Sequence, residues 1–377
     1  MYHIKGMALR AQAFDLMDRW KQDKSEDTLE EILAIVAKAG EQFGLSRGGI
    51  NHDEHGYVSH IQMLTRLLDA AQVVYGGGEI GRSRTRESRH VLLRDALDTA
   101  ESLLETVRLL QEGERESEYV LKCVAELDAL YGNHSAALQI WDSLLNRPGV
   151  YRPSIRRQII GAQLSRFKRR WSDVPQQQIR RIVQLLEENI REEPEEERNI
   201  RMWIQAVRRQ TPAVPLERAT SRIAYWKANS SAVDAAYYLY VLHTLEALDG
   251  SPVARAAAHD ALIECKRRSR MQRNRSVSFE WLGNGRGIQR LVHHSELGAW
   301  DSTAEFWQGA DILARVSGRV ASIRGPEAGE LELTGGVLAF FVPNKAGLAK
   351  GRDENSRVTL FLGFSYDGPR AWEVKRA

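Results

Sequence analysis

The chain has 377 residues, 43% of them hydrophobic and 27% charged, and a formal net charge of +3. That is the composition of a soluble globular protein with room for two or three domains and a sizeable core. The charge is too small to imply a nucleic-acid partner by itself, no apolar run reaches the eighteen or so residues of a membrane span, and the amino terminus has neither an apolar signal core nor an Arg/Ser-rich transit character, so a cytoplasmic protein is expected.

In chain order, apolar residues recur at helical spacing over 2–20, 28–43, 58–75, 90–111, 118–131, 135–146, 153–171, 175–191, 195–209, 215–228, 232–248 and 252–270, with Gly or Pro between segments. Short helices of similar length predict a mostly α chain: a helical-hairpin array with a first half over 1–150 and a second over 151–270. In the clearest unit Leu121, Val124 and Ala125 precede Gly132, then Ala137, Trp141 and Leu144 follow, and Pro148 ends it. This resembles a tetratricopeptide repeat of about 34 residues. Small residues such as Ala125 and Ala137 let paired helices approach, while Trp141 fills the groove between neighbours. Tyr237, Tyr238 and Tyr240 are expected to pack between repeats. Such an array implies a protein partner.

Two interruptions mark seams. Gly76, Gly77 and Gly78 followed by Arg82, Arg84, Arg86 and Arg89 predict a basic loop. The acidic run from Glu192 to Glu197 around Pro194 reads as a solvated helix start whose carboxylates suit the helix dipole, with a docking site for a basic partner as the alternative.

Residues 271–317 predict a basic, glycine-containing linker. From Cys265 to Arg290 there are eight basic residues, Arg273 and Arg275 among them, and a single acidic one, Glu280; such a run can neutralise phosphates or simply end a helix. Gly283, Gly285 and Gly287 lack a leading strand and the spacing of a dinucleotide fingerprint, so a flexible connection is expected. Beyond it, short β-prone runs at 319–323, 329–333, 337–342, 358–362 and 371–374 predict a small closed all-β barrel over 318–377.

No phosphate loop and no Ser-His-Asp or Cys-His arrangement can be assembled. His52, His55 and His60 near Asp53 and Glu54 have the right donors for a metal but no further His or Cys close by. Cys123 and Cys265 are far apart, which offers neither a zinc motif nor a disulfide framework. The expectation is a non-enzymatic protein with no cofactor, no metal and no catalytic residue.

The order Gly318-Arg319-Val320, Gly329-Glu330-Leu331, Phe340-Phe341-Val342-Pro343, Arg357-Val358 and Gly368-Pro369-x-Ala371-x-x-Val374 resembles a cold-shock-type OB-fold, a family of single-stranded nucleic-acid binders. Its closing motif matches well, whereas the family's first aromatic motif has become Gly325 to Leu331, with no aromatic. The openings Tyr2 to Arg10 and His55 to Ile61, together with Trp281-Leu282-Gly283, Leu291-Val292 and the barrel, resemble the carboxyl-terminal region of STAND-type P-loop NTPases of antiphage and antiviral defence. That resemblance implies a sensor or assembly part without its ATPase motor. It points to single-stranded RNA or DNA as a ligand, stacked on Phe341, Tyr366 and Trp372, with Arg370, Arg273 and Arg275 contacting phosphates; Tyr366 and Trp372 are expected at the exposed rim. The alternative is a pure protein-protein scaffold with the barrel as a structural cap. Oligomeric state stays open.

Overall fold

The computed structural model describes residues 2–48, 54–75, 88–111, 116–167, 170–272, 275–297 and 310–377. Helices follow the predicted segments in order: α1 (Tyr2–Asp23), α2 (Glu26–Arg47), α3 (Glu54–Val74), α4 (Ser88–Leu110), α5 (Glu118–Leu130), α6 (His134–Leu145), α7 (Arg152–Arg166), α8 (Gln176–Glu192), α9 (Glu197–Val207), α10 (Leu216–Ala228), α11 (Val233–Leu248) and α12 (Pro252–Arg268). The predicted basic loop at 76–87 and His52 lie outside the described residues. No helix among the described residues is long and apolar enough to cross a membrane.

The chain divides into two compact units, Met1–Arg170 and Trp171–Ala377. In the first, α3 packs against α1, α2, α4 and α5, and Trp20, Phe43, Ile61, Leu67 and Cys123 share one core. The α5–α6 pair is the predicted hairpin. Ser117 caps α5 by accepting a hydrogen bond from the Val120 N–H, Ala125 and Ala137 are fully buried, and Trp141 is 1% exposed.

In the second unit helices and sheet pack together. Strands are β1 (Glu280–Leu282), β2 (Leu291–His293), β3 (Arg315–Gly325), β4 (Ala328–Leu333), β5 (Leu338–Phe341), β6 (Arg357–Ser365) and β7 (Gly368–Arg376). The sheet order β2-β1-β6-β3-β4-β5-β7, with β6 also paired to β7, closes β3 to β7 into a five-stranded barrel. Pairings are antiparallel except β5 with β7, which is parallel. This is the strand order of an OB-like barrel. On β4 burial alternates as a half-buried strand requires, with Gly329, Leu331 and Leu333 inward. Val320, Ala339, Phe341, Val358, Leu360 and Phe364 on the other strands are likewise buried.

The predicted linker is corrected here. Glu280–Leu282 and Leu291–His293 form a hairpin that extends the sheet from β6. Gly283 donates its N–H to the Arg290 carbonyl, and a Cβ on Gly285 would lie 2.3 Å from the Gln289 carbonyl oxygen. Gly283 and Gly285 serve a tight approach of the two arms of the hairpin, and the hairpin belongs to the barrel's sheet. Likewise the helices after residue 170 group with the barrel, apart from the earlier ones.

Candidate functional site

The sequence reading placed function on the barrel, and there the structure separates the predicted residues sharply. Phe341 points into the barrel core and is 1% exposed; as neighbours on one strand must face opposite ways, Phe340 takes the outward position. The Arg370 guanidinium lies 4.7 Å from the Phe340 ring centroid, on the strand paired with it. The stacking residue expected at 341 is therefore a core residue, and its neighbour is the outward one.

Tyr366, expected at an exposed rim, is buried. It sits in the β6–β7 turn, its ring 5.1 Å from Tyr237 and 5.0 Å from Phe279, and its hydroxyl donates to Oδ1 of Asp234 at 3.0 Å. Trp372 is half-buried, 5.7 Å from the Trp281 ring, with Nε1 donating to Ser278 Oγ at 3.4 Å. Both belong to packing that the sequence reading did not foresee. Arg275 forms an ion pair with Asp367 at 2.7 Å, so its charge is already answered. Arg273 lies outside the described residues.

What covers the turn is α11. Its residues from Val233 to Leu242 are all buried, which only a helix segment enclosed on every side can sustain, while His243, Glu246 and Leu248 are half-buried. Tyr237, Tyr238 and Tyr240 were expected between helical repeats; instead they form a socket for the sheet. Tyr237 donates its hydroxyl to the Phe364 carbonyl at 2.9 Å and Tyr240 to the Ser365 carbonyl at 2.8 Å. Tyr237 shares the Phe364 carbonyl with the Phe279 N–H, which donates to it at 2.9 Å, and burial pushes all three phenols well above their ordinary range.

Next to the socket lies a buried ionic group. Arg208, just after α9, reaches Oε2 of Glu280 on β1 at 3.2 Å and the Leu291 carbonyl at 3.3 Å, and also binds Glu296. Glu280 is fully buried and burial pushes its carboxyl up to about 7. Beside it the His293 imidazole is pushed down to about 3, by burial first and then by His294. A second link joins Arg201 on α9 to Asp234 on α11, which holds Tyr366.

On the outward face of β3 two arginines are paired across strands, whereas Arg315 lies 4.2 Å from the Phe361 ring centroid. Arg319 on β3 meets Glu332 on β4 at 2.6 Å, and Arg324 meets Glu330. Cross-strand glutamates thus oppose the arginines that a phosphate backbone would need. Elsewhere His60 is buried beside Arg47, with Nδ1 3.2 Å from a guanidinium nitrogen, and is pushed down to about 4 by burial and by that charge. Among the described residues no group of three or more His, Cys, Asp or Glu is placed to hold a metal ion. Both cysteines are buried free thiols. Of the acidic run, Glu195 accepts hydrogen bonds from the Ser231 amide and hydroxyl, and Glu196 caps α9.

No family model matches the chain, and no curated protein matches it. Among solved structures it is similar to a de novo designed helical repeat protein, over 72% of this chain and 95% of the other, at 14% identity and a TM-score of 0.22. That level of likeness is too low to bear on function.

Proposed function

We propose that the chain is a protein-contact scaffold whose OB-like barrel acts as a structural cap on the helices of its own unit. The carrying observation is the burial of the β6–β7 turn in the α11 socket, where Tyr237, Tyr240 and Asp234 take up Phe364, Ser365 and Tyr366. A rim held in this way is a poor ligand mouth. The ion pairs of Arg319 and Arg324 support the same reading, since their charge is offset before any phosphate arrives.

Single-stranded nucleic-acid binding is the second reading, and Phe340 beneath Arg370 favours it: an outward aromatic with a guanidinium above it is a stacking platform of one. Titrating the intact chain with labelled single-stranded RNA and DNA at low and high salt separates the two. The scaffold reading expects only weak binding that high salt removes, of the nonspecific class near 10⁻⁴ to about 10⁻⁶ M. Tight binding that Phe340→Ala weakens at both salt levels would replace it with the second.

A further inference from the structure

We propose that the cleft between α4 and α5 is a docking groove for a basic amphipathic helix of a partner protein. The proposal rests on the scaffold reading and names one partner surface for it. α4 packs mainly against α3, α5 packs against α6 and α3, and α4 and α5 touch each other little. Thr65 on α3 donates to Glu126 on α5, and Gln72 on α3 donates to the Leu130 carbonyl, so α5 is tied to α3 along its length. The gap left beside α4 has a volume of about 610 Å³.

Its floor is Leu104, Val124, Leu127 and Tyr131, and Leu109, 62% exposed, extends the apolar edge at one end. The rim is acidic. Glu101 and Glu105 stand one turn apart on α4, Asp128 faces them from α5, and Glu116 closes the end, while Arg108, the one cation among the described lining residues, is already held by Glu116 at 2.6 Å. Glu101 also accepts the Tyr131 hydroxyl, which fixes one carboxylate at the groove edge. The stretch from Glu101 to Gln111 spans roughly 15 Å at the helical rise, the length of an apolar stripe of about three turns. An apolar floor between carboxylates is complementary to a helix with leucines along one face and lysines or arginines flanking them. An acidic helix would meet like charge on both sides.

The test uses two synthetic helices with the same leucine stripe, one flanked by lysines and one by glutamates, titrated into the intact chain by fluorescence anisotropy. The lysine helix should bind, lose affinity as salt rises, and bind at least about tenfold tighter than the glutamate helix, a difference of about 1.4 kcal/mol. Glu101→Lys with Glu105→Lys, at exposed positions, should abolish that preference, and Val124→Trp should block binding while leaving the rim charges in place; thermal melts verify that both variants fold. Equal binding of the two helices, or binding unchanged in both variants, overturns the proposal. So does a concentration-dependent dimer of the chain that Val124→Trp dissolves, since a second copy would then be the occupant. Oligonucleotide binding is read at the barrel and peptide binding at α4–α5, so failure of either proposal is distinguishable from failure of the other.

Discussion

Tyr238 on α11 donates its hydroxyl to Oε1 of Glu280 on β1 at 3.0 Å, while Arg208 approaches the other carboxylate oxygen at 3.2 Å. A carboxyl that belongs to the sheet is thus met by a side chain of α11 and by one from the end of α9. Such an arrangement links the acid-base state of one residue to the stability of the joint.

Burial raises Glu280 to about 7 from an ordinary 4.5. The folded chain therefore keeps a proton that the unfolded chain has lost, and this contribution to stability is full below about 4.5 and lost as the pH rises through about 7. His293 acts oppositely, because its depressed value means that the unfolded chain gains a proton below about 6.5 that the folded one refuses. Arg208, Arg209, Glu296 and Tyr238 face the same group. The difference between wild type and Glu280→Gln cancels the histidine effect. Denaturant titrations should find the variant gaining relative stability between about pH 5 and about pH 8; a pH-independent difference would contradict a raised carboxyl.

Tyr240→Phe takes the tyrosine donor from the buried Ser365 carbonyl, and Tyr237→Phe takes one donor from the Phe364 carbonyl, which keeps the Phe279 N–H. In equilibrium unfolding of the second unit the first should cost about 1–3 kcal/mol and the second about 0.5–1.5 kcal/mol. Hydrogen exchange should accelerate in the β6–β7 turn first. No loss of stability in either variant would mean that the socket is not a joint.

Gly335, at φ 70°, lies between β4 and β5 where a Cβ would come 1.9 Å from the Ala247 carbonyl oxygen on α11. Gly335→Ala combines a strained backbone with a contact that neither side can accept without moving apart. The variant should melt earlier than wild type by circular dichroism, and second-site changes in α11 should modulate the loss. An unchanged melting temperature would put the barrel further from α11 than the contacts require.

Trp141, 1% exposed between α5 and α6, is a core anchor of the first unit. Trp141→Ala should cost about 3–5 kcal/mol, read as lower-temperature loss of helical signal. A neutral result would place the indole at the surface.

Much of this architecture was legible from spacing alone. Helices declared themselves through the 3.6-residue period and Gly/Pro punctuation, and the five barrel strands through β-prone runs broken by Gly, Pro, Asn and Asp. The hairpin β1–β2 did not, because three-residue strands such as Glu280–Leu282 are too short to display alternation and are buried throughout. Phe340 and Phe341 had to face opposite ways, yet no local signal says which is inside; that depends on register with β4 and β7. The socket had one overlooked sign. The run from Ala235 to Leu242 is apolar or aromatic without a break, and such a stretch of helix needs cover on every side. Its tyrosines supplied the polar ends that a sheet edge requires. Tyr366 was misplaced because a turn containing Asp367 and Gly368 reads as surface until a socket is known to receive it.

If the barrel is a cap fixed to the helices, it cannot open independently of them. Native-state hydrogen exchange in rising denaturant measures this most directly, through the amides of β6, β7 and α11. One shared opening free energy for all three, lowered together by Tyr240→Phe, is the result expected. Barrel amides that keep their protection after those of α11 have exchanged would make the barrel a free-standing domain and contradict the account.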